Sequence, residues 1–399
     1  MAPSLEAPVV TRAEGHHLPL RVAEGLAAAA LAGILLFFGL PRVAGASWHD
    51  ITRLVTSLTA LQVGALTAVW LLGLSVHTLA IAAALPGLSH RRAFFLNITG
   101  SSVSNLLPLG GTAGTGVNFL ACRAWGFGTV EFLRWVLVTN IWDVLSRLAI
   151  PGIALAWFAY ADLGYSEALA GAAAGASGLL VALVILTIVL LRSDGGAKFA
   201  GRVLDSLARR LRRRPKNGGS YAVRTVALRR SMSSLVATAW GRLTVGKMLY
   251  AIAQAWLLWL CLDFLGEPPV LAIAFAAFAA ERVLSLAVVT PGATGIVELG
   301  MTGFLVRMGT DPAHAAAAVL LYRTFVIGME VPVGGAGLLW WFSRRLVSRP
   351  TGPEAEEPPT ARQVAEPPTA RQVAEPPTAR QVAEPPTAAS RVVGKRRLS

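Results

Sequence analysis

The sequence predicts an all-α fold, a polytopic transmembrane helical bundle with about eight spans. Of its 399 residues, 54% are hydrophobic and only 15% are charged, and the mean hydropathy is +0.57. A soluble chain of this length carries roughly 25% charged residues. The apolar residues also gather in runs of about 20, the length that crosses a bilayer. Lipid must therefore cover much of the apolar surface.

Apolar runs predict where the spans lie. The clear ones are residues 22–40, 59–85, 130–160, 167–191, 246–265 and 268–290. The run 313–343 is long for one straight crossing and contains Gly328, Pro332, Gly334 and Gly335, so a kinked span and two separate spans are both open. Two weaker stretches, 94–124 and 291–309, are rich in glycine. Freed backbone groups in a membrane need protein or water as partners. We therefore expect both weaker stretches to be Pro/Gly-broken segments related as pseudo-repeats, which either span the membrane or re-enter it.

Charge patterning predicts the domain organisation. Residues 1–21 form a cytoplasmic N-terminal segment, 22–345 the transmembrane domain, and 346–399 a tail. Within the domain, 192–247 carries 14 basic and two acidic residues and is predicted to be a cytoplasmic loop, since basic loops stay inside. The chain is thus expected to be a multi-pass protein of the cell membrane with both termini in the cytoplasm.

The tail repeats a nine-residue unit, Glu-Pro-Pro-Thr-Ala-Arg-Gln-Val-Ala. It begins at Glu357, recurs at Glu366 and Glu375, and starts again at Glu384. Each unit has a Pro-Pro pair and almost no apolar bulk, so it cannot offset the entropy of ordering. We expect a disordered cytoplasmic tail.

Several classes of function are disfavoured. The net charge of +14 comes from loops and tails, without interleaved aromatics, so no nucleic-acid partner is expected. The two cysteines and six scattered histidines form no metal-ligand pattern. Walker, Gly-x-Ser-x-Gly, His-Glu-x-x-His and dinucleotide motifs are absent from the sequence. We expect no cofactor, no metal and no catalytic residue.

The first candidate site lies within 97–118. Asn105 and Pro108 precede a glycine-rich run that begins with Gly110 and Gly111. Such a break frees backbone N–H and C=O groups and can point a helix N-terminus at an anion. Close packing of helices through small residues is the alternative.

The second candidate site is another Pro/Gly break. Pro291, Gly292 and Gly295 precede Glu298 near the start of the next helix. Glu298 is either a structural cap for that helix or a functional carboxylate.

Charged residues inside apolar runs form the third candidate. Arg147, Arg282 and Arg323 each need a carboxylate, carbonyls or a phosphate as partner. Asp143 is spaced to pair with Arg147 on one helix face, and the group also includes Glu281, next to Arg282, and Glu330. A structural ion pair and a lipid phosphate site both remain open.

These motifs resemble a known family. The run Thr290-Pro291-Gly292-Ala293-Thr294-Gly295-Ile296-Val297-Glu298, then Gly309-Thr310 and Leu321-Tyr322-Arg323, resembles the lysylphosphatidylglycerol synthase transmembrane region family. That family typically shows Pro-Gly-Gly-x-Gly-x-x-Glu, then a Gly before an Ala-rich helix, then Tyr-Arg. Asn105-Leu106-Leu107-Pro108 and the glycines after it resemble the family's first half.

The resemblance implies a flippase-like membrane domain. In the best-known members, the multiple peptide resistance factors, this domain moves aminoacylated phosphatidylglycerol between leaflets and a separate soluble domain makes it. That soluble domain is not expected here, because only a tail follows residue 345. Two departures bear on the substrate: Ala293 replaces the usual second glycine, and no charged residue follows Pro108 before Arg123.

The sequence thus favours a translocase for a phospholipid, aminoacylated or not, or for a lipid-linked intermediate. Anionic lipid head groups are the expected ligands. Arg147, Arg282 and Arg323 would hold the phosphate. Two alternatives remain: a membrane enzyme or its accessory subunit in envelope glycolipid synthesis, with an envelope-synthesis enzyme as partner, and a secondary transporter for a small anion.

Overall fold

The computed structural model describes residues 18–107, 110–160, 221–286 and 290–347, with short helical pieces between 175 and 187. Within these ranges the chain is helical and has no strand, which confirms the all-α prediction. The predicted span 167–191, the segment 1–21 and the tail 346–399 fall largely outside the described residues.

Five described helical stretches are long and apolar enough to cross a membrane. They are Gly25–Ala44, Ala60–Ala84, Thr129–Ala154, Ser231–Phe264 and Pro312–Arg344. The predicted count of about eight spans is not confirmed within the described part of the chain.

Twelve helices of the described ranges are named here. In chain order they are α1 (Leu18–Ile34), α2 (Leu40–Ala44), α3 (Trp48–Thr56), α4 (Ala60–Ala84), α5 (His90–Leu106), α6 (Gly111–Ala124), α7 (Thr129–Tyr160), α8 (Tyr221–Phe264), α9 (Leu271–Leu284), α10 (Ile296–Arg307), α11 (Pro312–Arg323) and α12 (Glu330–Val347). π-Helical turns at Leu35–Gly39 and Thr324–Gly328 join α1 to α2 and α11 to α12. A 3-10 turn, Pro291–Ala293, precedes α10.

Side-chain caps fix the start of three helices. Thr59 and Gln62 form a capping box on α4, and the Ser89 hydroxyl accepts the Arg92 N–H in the first turn of α5. Asp311 accepts the backbone N–H groups of Ala313 and His314 at the start of α11. The hydrogen bond from the His314 side chain lowers the pKa of Asp311 below its ordinary value.

Helices α4 and α8 form the long antiparallel frame of the bundle. Along their length, contacts pair Gln62 with Phe264, Gly73 with Ala253, and Ala80 with Gly246. Glycine at two of these crossings lets the backbones approach closely. The predicted loop 192–247 is wrong over 221–247, which belongs to α8. Lys247 is only 5% exposed there and does not lie in a solvated loop.

Helices α5 and α6 form a hairpin over the predicted broken stretch 94–124, which is the geometry of the re-entrant alternative. The rings of Phe95 and Trp125 lie 5.8 Å apart at its base, and Gly110 packs against the backbone of Ser104 near its tip. The helices have 17 and 14 residues. At 1.5 Å per residue they reach about 25 and 21 Å, short of the roughly 30 Å hydrocarbon core.

Helices α9 and α10 form a second hairpin around the Pro/Gly break. They have 14 and 12 residues, and Gly300 of α10 packs against Leu284 of α9. The predicted full span 268–290 is therefore wrong, because α9 ends at Leu284 and the chain turns back at about half depth.

The two hairpins enter the bundle from opposite ends. Hairpin α5–α6 follows the C-terminal end of α4, and hairpin α9–α10 follows the C-terminal end of α8. Because α4 and α8 are antiparallel, those two ends lie on opposite sides. The tips meet where Asn105 of α5 approaches Gly292 of the 3-10 turn. This inverted arrangement fits the predicted pseudo-repeats.

Helix α12 packs on α5 through one glycine. A Cβ on Gly334 would overlap the carbonyl oxygen of Ile98 and the side chain of Ser102. A Cβ on the neighbouring Gly335 would lie 3.9 Å from the nearest atom, the Ser102 hydroxyl. Only the first glycine is required for this helix contact.

We expect Gly334→Ala to destabilise the protein by about 1–3 kcal/mol, because a backbone atom cannot yield to the added methyl group. Gly335→Ala is the matched control and should be neutral or slightly stabilising, since alanine favours helix. Thermal unfolding in detergent measures both. Equal melting temperatures for the two variants would contradict the described packing.

Candidate functional site

A cavity of about 1380 Å³ lies where the two hairpin tips meet. Helices α5 to α9, the Pro291–Ala293 turn and the α11–α12 junction contribute to its wall. Tyr250 and Val326, which line it, stand near the centres of their spans, Ser231–Phe264 and Pro312–Arg344. The cavity is therefore at mid-depth of the bundle.

Most of the predicted site residues line this cavity. They are Asn105, Gly110, Gly111, Arg147, Arg282, Pro291, Gly292 and Arg323. Gly295 and Glu298 do not line it but are buried behind its wall. Pro108 lies outside the described residues.

Arg323 at the end of α11 is the centre of a buried ion network. Its Nε donates to Glu298 Oε1 at 2.8 Å, and its Nη2 donates to the Gly292 carbonyl oxygen at 2.6 Å. Its Nη1 lies 3.6 Å from Glu281 Oε1. Arg323 is 6% exposed and Glu298 3%. The network joins α9, the 3-10 turn, α10 and α11.

Glu298 combines the two roles that the sequence left open. Its Oε2 accepts the Gly295 N–H at 2.5 Å, which caps α10, while Oε1 holds Arg323. The turn before it needs glycine, since φ is +60° at Gly292 and +89° at Gly295. Ala293, which replaces a glycine of the family motif, also has a positive φ of +53°.

Arg282 is neutralised within its own helix. Its guanidinium bonds the carboxylate of Glu281 and lies over the ring of Phe278, 4.8 Å from the ring centre. Arg282 and Arg323 together thus face the carboxylates of Glu281 and Glu298, so this part of the wall is close to neutral.

Arg147 differs from the other two arginines. The predicted pair with Asp143 does not form, because Asp143 bonds the buried Lys247 of α8 instead. A buried ammonium needs a carboxylate more than a half-buried guanidinium does. Arg147 Nη1 donates to Ser285 Oγ at 3.0 Å, and no described carboxylate lies within ion-pairing distance. Its charge is left uncompensated at the cavity wall.

Glu330 is the opposite case: it was predicted as one of the charged residues inside apolar runs but not as a substrate-binding residue. It is 4% exposed, lines the cavity, and accepts from Asn105 Nδ2 at 3.4 Å. In the described ranges no Lys, Arg or His nitrogen reaches ion-pairing distance of it. A carboxylate inside an apolar run was the signal that could have added it to the site.

Two further residues of α8, one aromatic and one amide, were not predicted from the sequence. Tyr250 and Gln254 line the cavity, and the Gln254 amide donates to the Tyr250 hydroxyl at 2.7 Å. Residues of these types on an apolar helix look like ordinary core or interface residues, so spacing gave no signal.

The model of the family described as lysylphosphatidylglycerol synthase TM region matches residues 25–334. This chain belongs to that family. The match runs from α1 into α12, so both hairpins and the cavity lie within the shared domain. It confirms the resemblance drawn from the Pro291–Glu298 motif. Among the curated proteins compared with the chain, none matches.

In this family member we expect Arg323→Met to destabilise the fold by about 3–5 kcal/mol, because Glu298 would be left buried without a cation and Glu281 would keep only Arg282. Arg307→Met, at the exposed end of α10, is the control and should change stability little. Melting temperatures in detergent test this. A small, equal shift in both variants would mean that the network does not stabilise the site.

Proposed function

We propose that this protein moves an anionic phospholipid, or a lipid-linked intermediate, between membrane leaflets without catalysing a reaction. The observation that carries the proposal is Arg147, an uncompensated guanidinium on a cavity at half depth. A charge in that place is costly and marks a substrate path. Guanidinium groups bind phosphate bidentately, so a lipid phosphate is a suitable partner.

The size and lining of the cavity support a head group as cargo. Drug-sized ligands occupy roughly 300–1,000 Å³, and this cavity of about 1380 Å³ exceeds that range. Beside Arg147 it presents hydroxyl and amide groups from Ser285, Asn140 and Gln254. Such groups can replace the water that a phosphate and a glycerol lose on entering.

Glu330 supports a head group that also carries an amine. It is an uncompensated carboxylate on the wall that holds Arg147. A phosphate against Arg147 and an ammonium against Glu330 would each gain a partner of opposite charge. Aminoacylated phospholipids have both groups.

The distribution of basic residues supports a cell-membrane protein with the start of α5 in the cytoplasm. The ring of Phe95 lies 5.8 Å from Trp125 and 6.2 Å from Trp341, which brings the start of α5, the end of α6 and the end of α12 together. That end of the bundle carries the basic residues Arg91, Arg92, Arg123, Arg344 and Arg345. Basic ends remain inside.

The start of α1 lies at the same end. α1 and α2 run parallel to α10, with Leu35 beside Gly295 and Val43 beside Gly303. Since α10 runs from the tip towards the opposite end, α1 begins at the basic end. This arrangement supports the predicted cytoplasmic position of both termini.

Rocking of the two hairpins is the movement that this architecture supports. Each tip closes the cavity from one side, so alternate displacement of α5–α6 and α9–α10 would open it to one leaflet at a time. The head group would cross half the membrane with each hairpin.

We expect Arg147→Met to slow the movement of fluorescent phosphatidylglycerol in proteoliposomes at least about tenfold, since a charge-assisted contact is worth roughly 1.5–3 kcal/mol. Arg134→Met is the matched control, because Arg134 Nη1 also donates to a serine hydroxyl, Ser231 Oγ at 2.8 Å, but Arg134 does not line the cavity. Its rate should equal that of the wild type.

Wild-type vesicles that move no lipid faster than empty vesicles would refute the proposal for the lipid tested. Equal rates in Arg147→Met and Arg134→Met would refute the assignment of the phosphate to Arg147. Excess inorganic phosphate should inhibit little, whereas strong competition by phosphate would favour a transporter of a small anion.

We expect Glu330→Gln to change lipid preference. The variant should move lysyl-phosphatidylglycerol several-fold more slowly while the rate for phosphatidylglycerol changes little, because only the first lipid has an ammonium to lose its partner. The ratio of the two rates in one vesicle preparation is the measurement. An unchanged ratio of the two rates would show that Glu330 does not recognise the amine.

A further inference from the structure

A buried triad of titratable residues adjoins the cavity and is not used by the proposed transport path. Lys247 of α8 bonds the carboxylate of Asp143 on α7, and its Nζ lies 2.8 Å from Nε2 of His77 on α4. Lys247 is 5% exposed and His77 9%, whereas the Asp143 side chain is 45% exposed. The aspartate is therefore the one exposed member of the triad.

The bonding pattern fixes the charge states of the triad. An ammonium can only donate, so His77 Nε2 accepts and the imidazole is neutral. His77 Nδ1 and the nearby Asn97 Nδ2 find no hydrogen-bond partner among the described residues. The triad thus holds one positive charge, on Lys247, and one negative charge, on Asp143.

The triad is continuous with the cavity wall. Asp143 lies one helical turn from Arg147 and from Asn140, both of which line the cavity. Lys247 lies one turn from Tyr250, and the rings of His77 and Tyr250 stack with centres 4.2 Å apart. A charge that enters the cavity will therefore act on Asp143 over a short distance.

Cations dominate the surroundings of the triad. Arg147 from α7, Lys247 from α8 and the neutral His77 from α4 face Asp143. Arg282 from α9 acts on His77 from the cavity side, with Glu281 paired to it. In the empty protein two cations thus stand beside the Asp143 carboxylate, Lys247 bonded to it and Arg147 one helical turn away.

Binding of an anion changes this balance. Without cargo, Arg147, Lys247 and Asp143 carry a net charge of +1. A phosphate monoanion beside Arg147 would lower it to zero and place two anions about one helical turn apart. Uptake of one proton by Asp143 removes the repulsion between the two anions, and the phosphate then compensates Lys247 in place of the carboxylate. Like charges at a shared site favour this protonation.

We propose that Asp143, Lys247 and His77 form a proton-binding site that couples proton uptake to entry of an anionic head group. The proton comes from water on the side to which the cavity is open and leaves with the head group on the other side. This inference rests on the proposed lipid translocation and supplies its energy source, a proton gradient.

The first test imposes a pH gradient on proteoliposomes that contain fluorescent phosphatidylglycerol. The wild-type rate should rise several-fold when the compartment that supplies the lipid is acidic. Asp143→Asn should move lipid without a gradient yet lose the response to it. Asp263→Asn, near the far end of α8, is the matched control and should respond like the wild type.

The second test measures proton uptake directly and does not need transport. Titration calorimetry with short-chain phosphatidylglycerol in detergent, in two buffers of different ionisation enthalpy, gives protons bound per lipid. We expect about one proton bound per lipid in the wild type, because Asp143 takes up a single proton. We expect none in Asp143→Asn. Since Asp143→Asn leaves Lys247 without its carboxylate, Asp143→Asn/Lys247→Met is the fallback variant if the single one misfolds.

The outcomes separate this inference from the proposed function. Proton uptake on lipid binding without any lipid movement would refute the proposed translocation and support the proton-binding site. Lipid movement that ignores the gradient, with no proton uptake in the wild type, would overturn the coupling alone. A gradient response that survives in both triad variants would also overturn it.

Discussion

The ion network around Arg323 holds the architecture together. In a membrane interior a guanidinium and two carboxylates are tolerable only when each has a partner, and here they find one another at the point where the chain breaks. Glu298 caps α10, Arg323 closes α11, and the Gly292 carbonyl joins both. The network fixes one hairpin tip against the long α11–α12 span.

Because the network fixes one hairpin tip, the charged residues around the cavity fall into two groups. Four of the buried charges cancel in the wall, whereas Arg147 and Glu330 lack a described partner of opposite sign. The structural charges and the charges available to a ligand are thus different residues. This separation explains how a polar cavity can exist at half depth without destabilising the bundle.

The sequence predicted the parts of this account that depend on local chemistry. The two Pro/Gly breaks, the all-α class and most of the cavity residues follow from glycine, proline and charge inside apolar runs. Hydropathy could not distinguish the short helix α9 from a full span, because the residues that follow it are apolar as well. The Asp143 partner was also wrong, since Lys247 lies 104 residues away in sequence and only tertiary packing joins them. Tyr250 has no signal of its own.

The proposed transport path requires the two hairpins to enter the bundle from opposite sides of the membrane. The sidedness of cysteine labelling tests this directly. Cys122 and Cys261 are fully buried, so they give little background. Arg91→Cys marks the base of α5–α6, and Arg307→Cys marks the base of α9–α10. An impermeant maleimide should label Arg307→Cys on intact cells and Arg91→Cys only after permeabilisation. Labelling of both from the same side would contradict the inverted arrangement.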